Sequence, residues 1–243
     1  MTTCWMILFY GRPYLKYSLA SIYDQCDRIV ILYSPKPSQG HGTPLSVPDT
    51  EDELKKEAEP FMDKIVWIKG DWNNEGEHTN AIWEHVEDCE WSYRVDYDEI
   101  VPAGFIQEMI RQAEQTENKF FQVPFVHLWK SFNKCCLDSQ TPYRLTRLKR
   151  GEGDKILDSH DGKWRVVHCG YAIPDEYMRF KWSTHGHKPE LRPDWFEHVW
   201  HGDAEENLHP VANGLWPKAQ HFNKFSLPPV LRLHPYFNLS EIH

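Results

Sequence analysis

Between residues 4 and 96, short and almost wholly apolar runs alternate with stretches of helical spacing, and this pattern narrows the possible folds sharply. The runs CWMILFY (4–10), RIVILY (28–33), KIVWIK (64–69) and EWSYRVD (90–96) read as strands. A strand covered on both faces loses the usual in–out alternation of polarity, and the first three of these have lost it. PYLKYSLASIYDQC (13–26) sets Leu15, Leu19 and Ile22 at helical spacing, with Pro13 in a first turn that does not need its missing N–H. A second helix is expected from residue 51, because Asp49-Thr50 offers caps and an acidic first turn follows. A third is expected over 77–89. Strands separated by helices pair in parallel, giving an α/β fold with an open, mostly parallel central sheet flanked by helices. In such sheets ligands bind at the carboxyl ends of the strands, here residues 10–12, 33–34, 70–72 and 96–99.

Beyond residue 100 the pattern loosens. Helices are expected over 102–116 and 175–187, strands over 120–132, 143–150 and 163–172, and an irregular His- and Pro-rich tail from 202. We read residues 1–243 as one domain, with a nucleotide-binding half (1–100) and an irregular second half (101–243). A 40% hydrophobic content is enough to build a core, and no run of 18 apolar residues offers a membrane span. Cys4, Cys26, Cys89, Cys135, Cys136 and Cys169 lack CxxC spacing, so reduced thiols in a cytoplasmic setting are expected rather than a zinc ribbon or a disulfide framework. The net charge of −9 is uneven: −11 over residues 1–125 and +2 over 126–243. The first half therefore suits a cation, and neither half has the basic surplus of a strong nucleic-acid binder.

The densest chemistry is Asp96-Tyr97-Asp98-Glu99 at the end of the fourth strand. Three carboxylates in four residues repel one another unless a cation lies among them. Mg²⁺ or Mn²⁺ accepts such oxygen ligands together with phosphate oxygens, and would neutralise a departing diphosphate. A bare Asp-x-Asp is weak evidence; its place on the ligand rim of an α/β sheet gives it weight. No P-loop and no GxGxxG is present, which leaves ATPase and dehydrogenase classes without their phosphate cradle.

Val95-Asp96-Tyr97-Asp98-Glu99-Ile100-Val101-Pro102, the RIVIL strand, and Tyr10-Gly11-Arg12 leading to Ser18-Leu19-Ala20-Ser21-Ile22 together resemble family 2-type glycosyltransferases with the GT-A fold, over about residues 5–105. The resemblance implies a GT-A-like domain, a nucleotide-diphosphate sugar as donor (a UDP-sugar first) and a divalent metal. It implies Asp96 near the ribose or the metal's waters, Asp98 as metal ligand, and Tyr10, Gly11, Arg12 and Asn80 at the nucleotide. Where the family carries an Asp or a Ser/Thr-rich turn after strand two, this chain has Tyr33-Ser34-Pro35, so base contact falls to Tyr33 by stacking. His168, at the end of the strand around Val166-Val167, resembles the third metal ligand of such enzymes, with His185 and His187 as rivals; Lys181 is placed to reach the diphosphate. For an inverting reaction, Asp161 beside His160 is the first choice of base and Asp175 the second. Trp72, Trp129 and Trp182 are candidate stacking surfaces.

The acceptor stays open between a hydroxymethylated base in DNA, a surface glycan, a lipid-linked sugar and a protein side chain; the basic stretch YRLTRLKR (143–150) permits a phosphate contact. Two other classes compete. A metal-dependent nucleotidyltransferase would need a longer Gly-rich basic loop than Gly11-Arg12-Pro13, and a non-catalytic sugar-binding protein has little reason to keep the acidic run.

Overall fold

A computed structural model describes residues 1–37, 43–137, 141–157, 165–185, 188–202, 206–216 and 218–242. In chain order the strands are β1 (Thr2–Leu8), β2 (Arg28–Tyr33), β3 (Ile65–Lys69), β4 (Trp91–Arg94), β5 (Glu99–Ile100), β6 (Phe120–Gln122), β7 (Phe125–Trp129), β8 (Lys134–Leu137), β9 (Tyr143–Arg147), β10 (Asp154–Ile156), β11 (Val166–Tyr171) and β12 (Gln220–His221). The helices are α1 (Arg12–Ile22), α2 (Glu51–Ala58), α3 (Glu75–Asn80), α4 (Phe105–Ala113) and α5 (Asp175–Ser183).

The strands form two sheets. The first has the order β10-β6-β9-β4-β1-β2-β3, and β3, β2, β1 and β4 run parallel, so their carboxyl ends share one rim as expected. β9 is antiparallel to β4 and to β6. Alternate residues of the parallel strands feed separate cores: Cys4, Met6, Leu8, Ile29 and Ile31 pack with α1, α2 and α4, while Trp5, Ile7, Val30 and Leu32 pack with Ile82 and Val86. Burial of both faces is why β1 and β2 read as continuous apolar runs, while β3 at the sheet edge is only partly covered.

The second sheet, β12-β8-β7-β11-β5, is where the sequence reading falls short. Residues expected to be one strand over 120–132 are split into β6 and β7, one in each sheet, across Val123-Pro124. Proline has no N–H for a ladder, so the strand breaks there and crosses over. The chain also crosses between sheets at Val95–Asp98, from β4 into β5. β5 then pairs antiparallel with β11, which sets Glu99 opposite His168 and Ile100 opposite Val167. A metal-site candidate from residue 168 is thereby brought beside the acidic run by strand pairing.

Local rules explain the helix ends. Thr50 and Glu53 form a reciprocal cap on α2, with Glu53 N–H donating to Thr50 Oγ1 at 3.3 Å and Thr50 N–H to Glu53 Oε2 at 2.9 Å. Of the basic residues in YRLTRLKR, Lys149 and Arg150 are exposed, and Arg144 and Arg147 are turned inward. Arg147 is fully buried and donates to the carbonyls of Ala113 and Thr116 at 2.6 and 2.8 Å, covering the C-terminal end of α4. All six cysteines are buried and none is in a disulfide. Among the described residues no helix is long and apolar enough to cross a membrane.

Two buried histidines tie stability to pH. His78 stacks on Trp72 at 4.1 Å with its Nε2 2.7 Å from the Leu32 carbonyl, and His234 stacks on Tyr14 with its Nε2 2.8 Å from the Pro13 carbonyl. Burial lowers each pKa to about 4, against the smaller opposing pull of the carbonyl. The unfolded chain takes up these protons near pH 6.5, so between about pH 6.5 and 4 the folded state binds fewer. Stability present above that window should fall through it by up to about 1.4 kcal/mol per pH unit per histidine. Urea unfolding at about pH 7 and about pH 5 checks this; equal midpoints would refute it.

Candidate active site

The site forms where the two sheets meet. Asp98, 3% exposed, directs Oδ2 at Lys181 Nζ (3.1 Å) and His168 Nε2 (3.5 Å). Burial alone would raise its pKa, but Lys181 and then His168 more than offset this and hold the carboxyl far below the usual range. Lys181 comes from α5, and its ammonium also lies 3.4 Å from the Gly170 carbonyl. Gly170 is the floor of this arrangement. A Cβ at this position would sit 2.5 Å from Asp98 Oδ2 and 2.6 Å from His168 Nε2, and would collide with Lys181 Nζ. The three groups therefore converge over a point that only glycine leaves open.

Behind His168 stands His127, with the two Nδ1 atoms 2.8 Å apart, so one ring donates and the other accepts. When His168 donates, its Nε2 lone pair faces Asp98 and the space over Gly170, as a metal ligand must.

Asp96 has a different environment. Arg144 Nη2 lies 2.9 Å from its Oδ2, and Arg94 Nε lies 3.4 Å from its Oδ1. Burial raises its pKa, and Arg94 and Arg144 reverse the sign. Arg144 also grips Glu99 with both faces of its guanidinium fork, Nε at 2.9 Å from Oε2 and Nη2 against Oε1, and lies over the Phe125 ring at 5.2 Å. Burial still pushes Glu99 upward, with Arg144 pulling the other way. The mutual repulsion of the acidic run is thus relieved by Arg94, Arg144 and Lys181. Among the described residues no group of three or more His, Cys, Asp or Glu side chains is placed to hold a metal. The expected trio Asp96, Asp98 and His168 is not assembled, because the arginines hold the Asp96 carboxylate. Asp98 and His168 remain as an oxygen–nitrogen pair around the space over Gly170, and that pair suits a cation completed by phosphate oxygens.

Two cavities open here. One, of about 270 Å³, is lined by Tyr10, Arg94, Asp96, Tyr97, Asp98, His168 and Lys181 among others. The other, of about 470 Å³, shares Asp96, His168 and His185 with it and extends to Phe125, Tyr171, Glu190, His209 and Trp216.

Tyr10, Asp96, Asp98, His168 and Lys181 thus line one cavity. Other candidates are placed elsewhere. Gly11 and Arg12 lie on the rim, but their backbone N–H groups donate to Asp49 Oδ2 at 2.8 and 3.0 Å. The Arg12 side chain lies 2.9 Å from Glu53 and 3.5 Å from Asp49. A buried carboxylate from the Pro-rich loop thus occupies the start of α1, where a nucleotide contact was expected. Gly11 is needed for another reason: its φ is +141°, and a Cβ there would enter the Tyr97 ring. Tyr33 packs against Trp67 at 5.6 Å and does not line the smaller cavity. Asn80 ends α3, is exposed, and accepts from Trp83 Nε1 at 3.3 Å; the cap of α3 is Asn74. Asp175 lines a separate cavity, bonded to Trp200 Nε1 at 3.0 Å and His201 Nε2 at 2.5 Å. Asp161, His160 and His187 lie outside the described residues. Trp72 is stacked on His78, Trp182 on Trp195 at 4.9 Å, and Trp129 belongs to the core of the second sheet. Arg144, Gly170 and Asp49 were missed. The unpaired acidic run was a signal that some cation must come from elsewhere in the chain, though not which one.

No family model and no curated protein sequence matches the chain. Among solved structures, the mannosyltransferase PcManGT from Pyrobaculum calidifontis, in complex with GDP-Man and Mn²⁺, superposes with a TM-score of 0.50 at 12% identity, covering 75% of this chain and 60% of that one. The fold is GT-A-like. S. aureus TarS 1-349 in complex with UDP-GlcNAc gives a TM-score of 0.42 at 12% identity over 60% of this chain and 45% of that one. The inositol-1-phosphate CTP transferase from T. maritima gives 0.41 at 10% identity over 74% and 96%. The chain thus spans less than two thirds of the length of PcManGT and of TarS 1-349.

Proposed function

We propose that this chain is a glycosyltransferase that moves a sugar from a nucleoside-diphosphate sugar, a UDP-sugar first, to a hydroxyl acceptor, with Mn²⁺ or Mg²⁺ held by Asp98 and His168. The convergence of Asp98, His168 and Lys181 over Gly170 carries this reading, because it gathers oxygen, nitrogen and ammonium at one point on the rim where such sheets bind nucleotides. The metal's contribution would be to draw off charge from the leaving diphosphate. Lys181 adds a second positive charge on the same oxygens once it turns from Asp98 to phosphate. Asp96, clamped by Arg94 and Arg144, is fixed as a hydrogen-bond acceptor for the ribose. Tyr10 walls the smaller cavity against water.

In the reaction the acceptor oxygen bonds to the anomeric carbon. The bond from that carbon to the diphosphate oxygen breaks, and its electron pair leaves with the diphosphate. The hydroxyl proton passes to a base, for which Asp161 remains the sequence-based candidate in an inverting course. A cytoplasmic setting is proposed on the strength of the cysteine spacing alone.

Thermal unfolding against UDP-, GDP-, CMP- and dTDP-sugars, with and without Mn²⁺, tests the assignment. A ligand at about 100 times its Kd should add about 2.7 kcal/mol to stability. One sugar nucleotide is expected to raise the melting temperature, and only with metal. A shift with CTP or UTP but with no sugar nucleotide would overturn transfer in favour of nucleotidyl chemistry.

A further inference from the structure

His168 and His127 are cross-strand neighbours. In the parallel ladder of β7 with β11, Phe125 stands opposite Val166, Val126 opposite Val167 and His127 opposite His168. Directly opposed residues share a face of the sheet, so strand pairing alone sets the two imidazoles side by side. Their Nδ1 atoms are 2.8 Å apart, and the rings meet at 79° with centroids 4.9 Å apart. Trp216 at 4.8 Å and Phe125 at 6.0 Å flank the His127 ring. On its other side His168 pairs with Glu99 of β5, and its Nε2 lies 3.5 Å from Asp98 Oδ2.

A hydrogen bond between two Nδ1 atoms has two arrangements, because a neutral imidazole carries one N–H and one lone pair. When His127 donates, His168 keeps its own proton on Nε2, aimed at the Asp98 carboxylate. When His168 donates, its Nε2 holds a lone pair and His127 carries its proton on Nε2. The first arrangement suits the metal-free protein, since a carboxylate attracts an N–H. The second suits a cation beside Asp98. A carbonyl or carboxylate behind His168 would only accept, and would favour the second arrangement at all times. A histidine serves both, and the bond between the rings is kept in either.

Resting on the proposed metal role of Asp98 and His168, we infer that His127 is a positioning residue that sets the tautomer of His168, and that metal binding exchanges the tautomers of both rings together. Solvent takes the proton from His168 Nε2, the shared proton passes from His127 Nδ1 to His168 Nδ1, and solvent returns one to His127 Nε2. The number of protons on the pair is unchanged.

The test uses the whole chain with isotope-labelled histidine at about pH 8, where free imidazole is neutral. The nitrogen NMR shifts of each ring report which atom carries the proton, and substitution of either histidine assigns its signals. Without metal, His168 is expected to be protonated on Nε2 and His127 on Nδ1; with Mg²⁺ and UDP both are expected to exchange. Mn²⁺ affinity, read by electron paramagnetic resonance with the metal alone and with UDP, is expected to fall about 10–100-fold in His127→Phe. His127→Asn, whose amide offers both a donor and an acceptor, is expected to recover most of it. Rings that keep one arrangement with and without metal, an equal loss in the two variants, or a folded His127→Phe that binds Mn²⁺ like the parent overturns the inference. The ring signals of the parent decide it should His127→Phe fail to fold. Asp98→Asn separates the two readings. Mn²⁺ binding lost there but kept in His127→Phe removes His127 alone and leaves the metal assignment standing, whereas a parent chain that binds no Mn²⁺ removes both.

Discussion

Replacing Asp98 with asparagine is expected to lower metal-dependent turnover of a sugar nucleotide by about 10³-fold, or about 4 kcal/mol of barrier. The change is nearly isosteric, so the loss would come from charge. Asp98 is the residue where His168 and Lys181 meet, and an amide offers neither the charge nor the second oxygen that a divalent cation takes. The fold should survive, because the backbone bond from Cys169 N–H to the Asp98 carbonyl, 2.7 Å long, does not involve the side chain. Sugar release from a UDP-sugar with Mn²⁺ measures turnover, and the melting temperature confirms the fold. A folded variant with full activity would remove Asp98 from the chemistry and with it the metal assignment.

Arg144→Met is expected to cost about 3–5 kcal/mol of stability, because it leaves Glu99 and Asp96 as neighbouring carboxylates without the guanidinium between them. For a chain of this length that is a fall in melting temperature on the order of 10 °C. The loss is expected to be smaller when Glu99 is changed to methionine at the same time, since most of the penalty is a buried charge without its partner. Asp96 keeps Arg94 in either variant. Urea unfolding of the two single variants and the double variant gives the coupling directly. Single variants whose effects simply add, or an Arg144→Met within about 0.5 kcal/mol of the parent, would show that the cluster is held by something else.

The first sheet was legible because its signals are local. β2 was read at its true bounds, and α1 and the start of α2 lie close to where Pro13 and Thr50 indicated. Apolar runs covered on both faces need no knowledge of their neighbours. The acidic run was legible in the same way, as the end of a strand, whereas His168, read as a strand end, lies inside β11. Arg144 was not. In YRLTRLKR it alternates with apolar residues and reads as solvent-facing, and its burial depends on β9 running antiparallel beside β4, a pairing of Trp91–Tyr93 with Leu145–Arg147 that has no local mark. Asp49 was read as a possible start for α2; its hydrogen bonds to the start of α1 depend on the path of the Pro-rich loop. Tyr33 was placed by its strand end and Asn80 by resemblance, and contacts with Trp67 and Trp83 engage them elsewhere. The second sheet was read as irregular because its strands are short and split by Pro124, so periodicity had too few residues to work with.

The passage of the chain from one sheet to the other through Val95–Asp98 has a mechanical corollary. Asp96 is tied to the first sheet through Arg144 on β9, and Asp98 to the second through the Cys169 amide on β11. Any slip of one sheet along the other must change the separation of the two carboxylates before it changes much else. Two residues apart, they act as a strain gauge across the seam. Substitutions that loosen the Ile100–Val167 and Glu99–His168 pairing would therefore detune both pockets at once, even when no residue lining either pocket is altered.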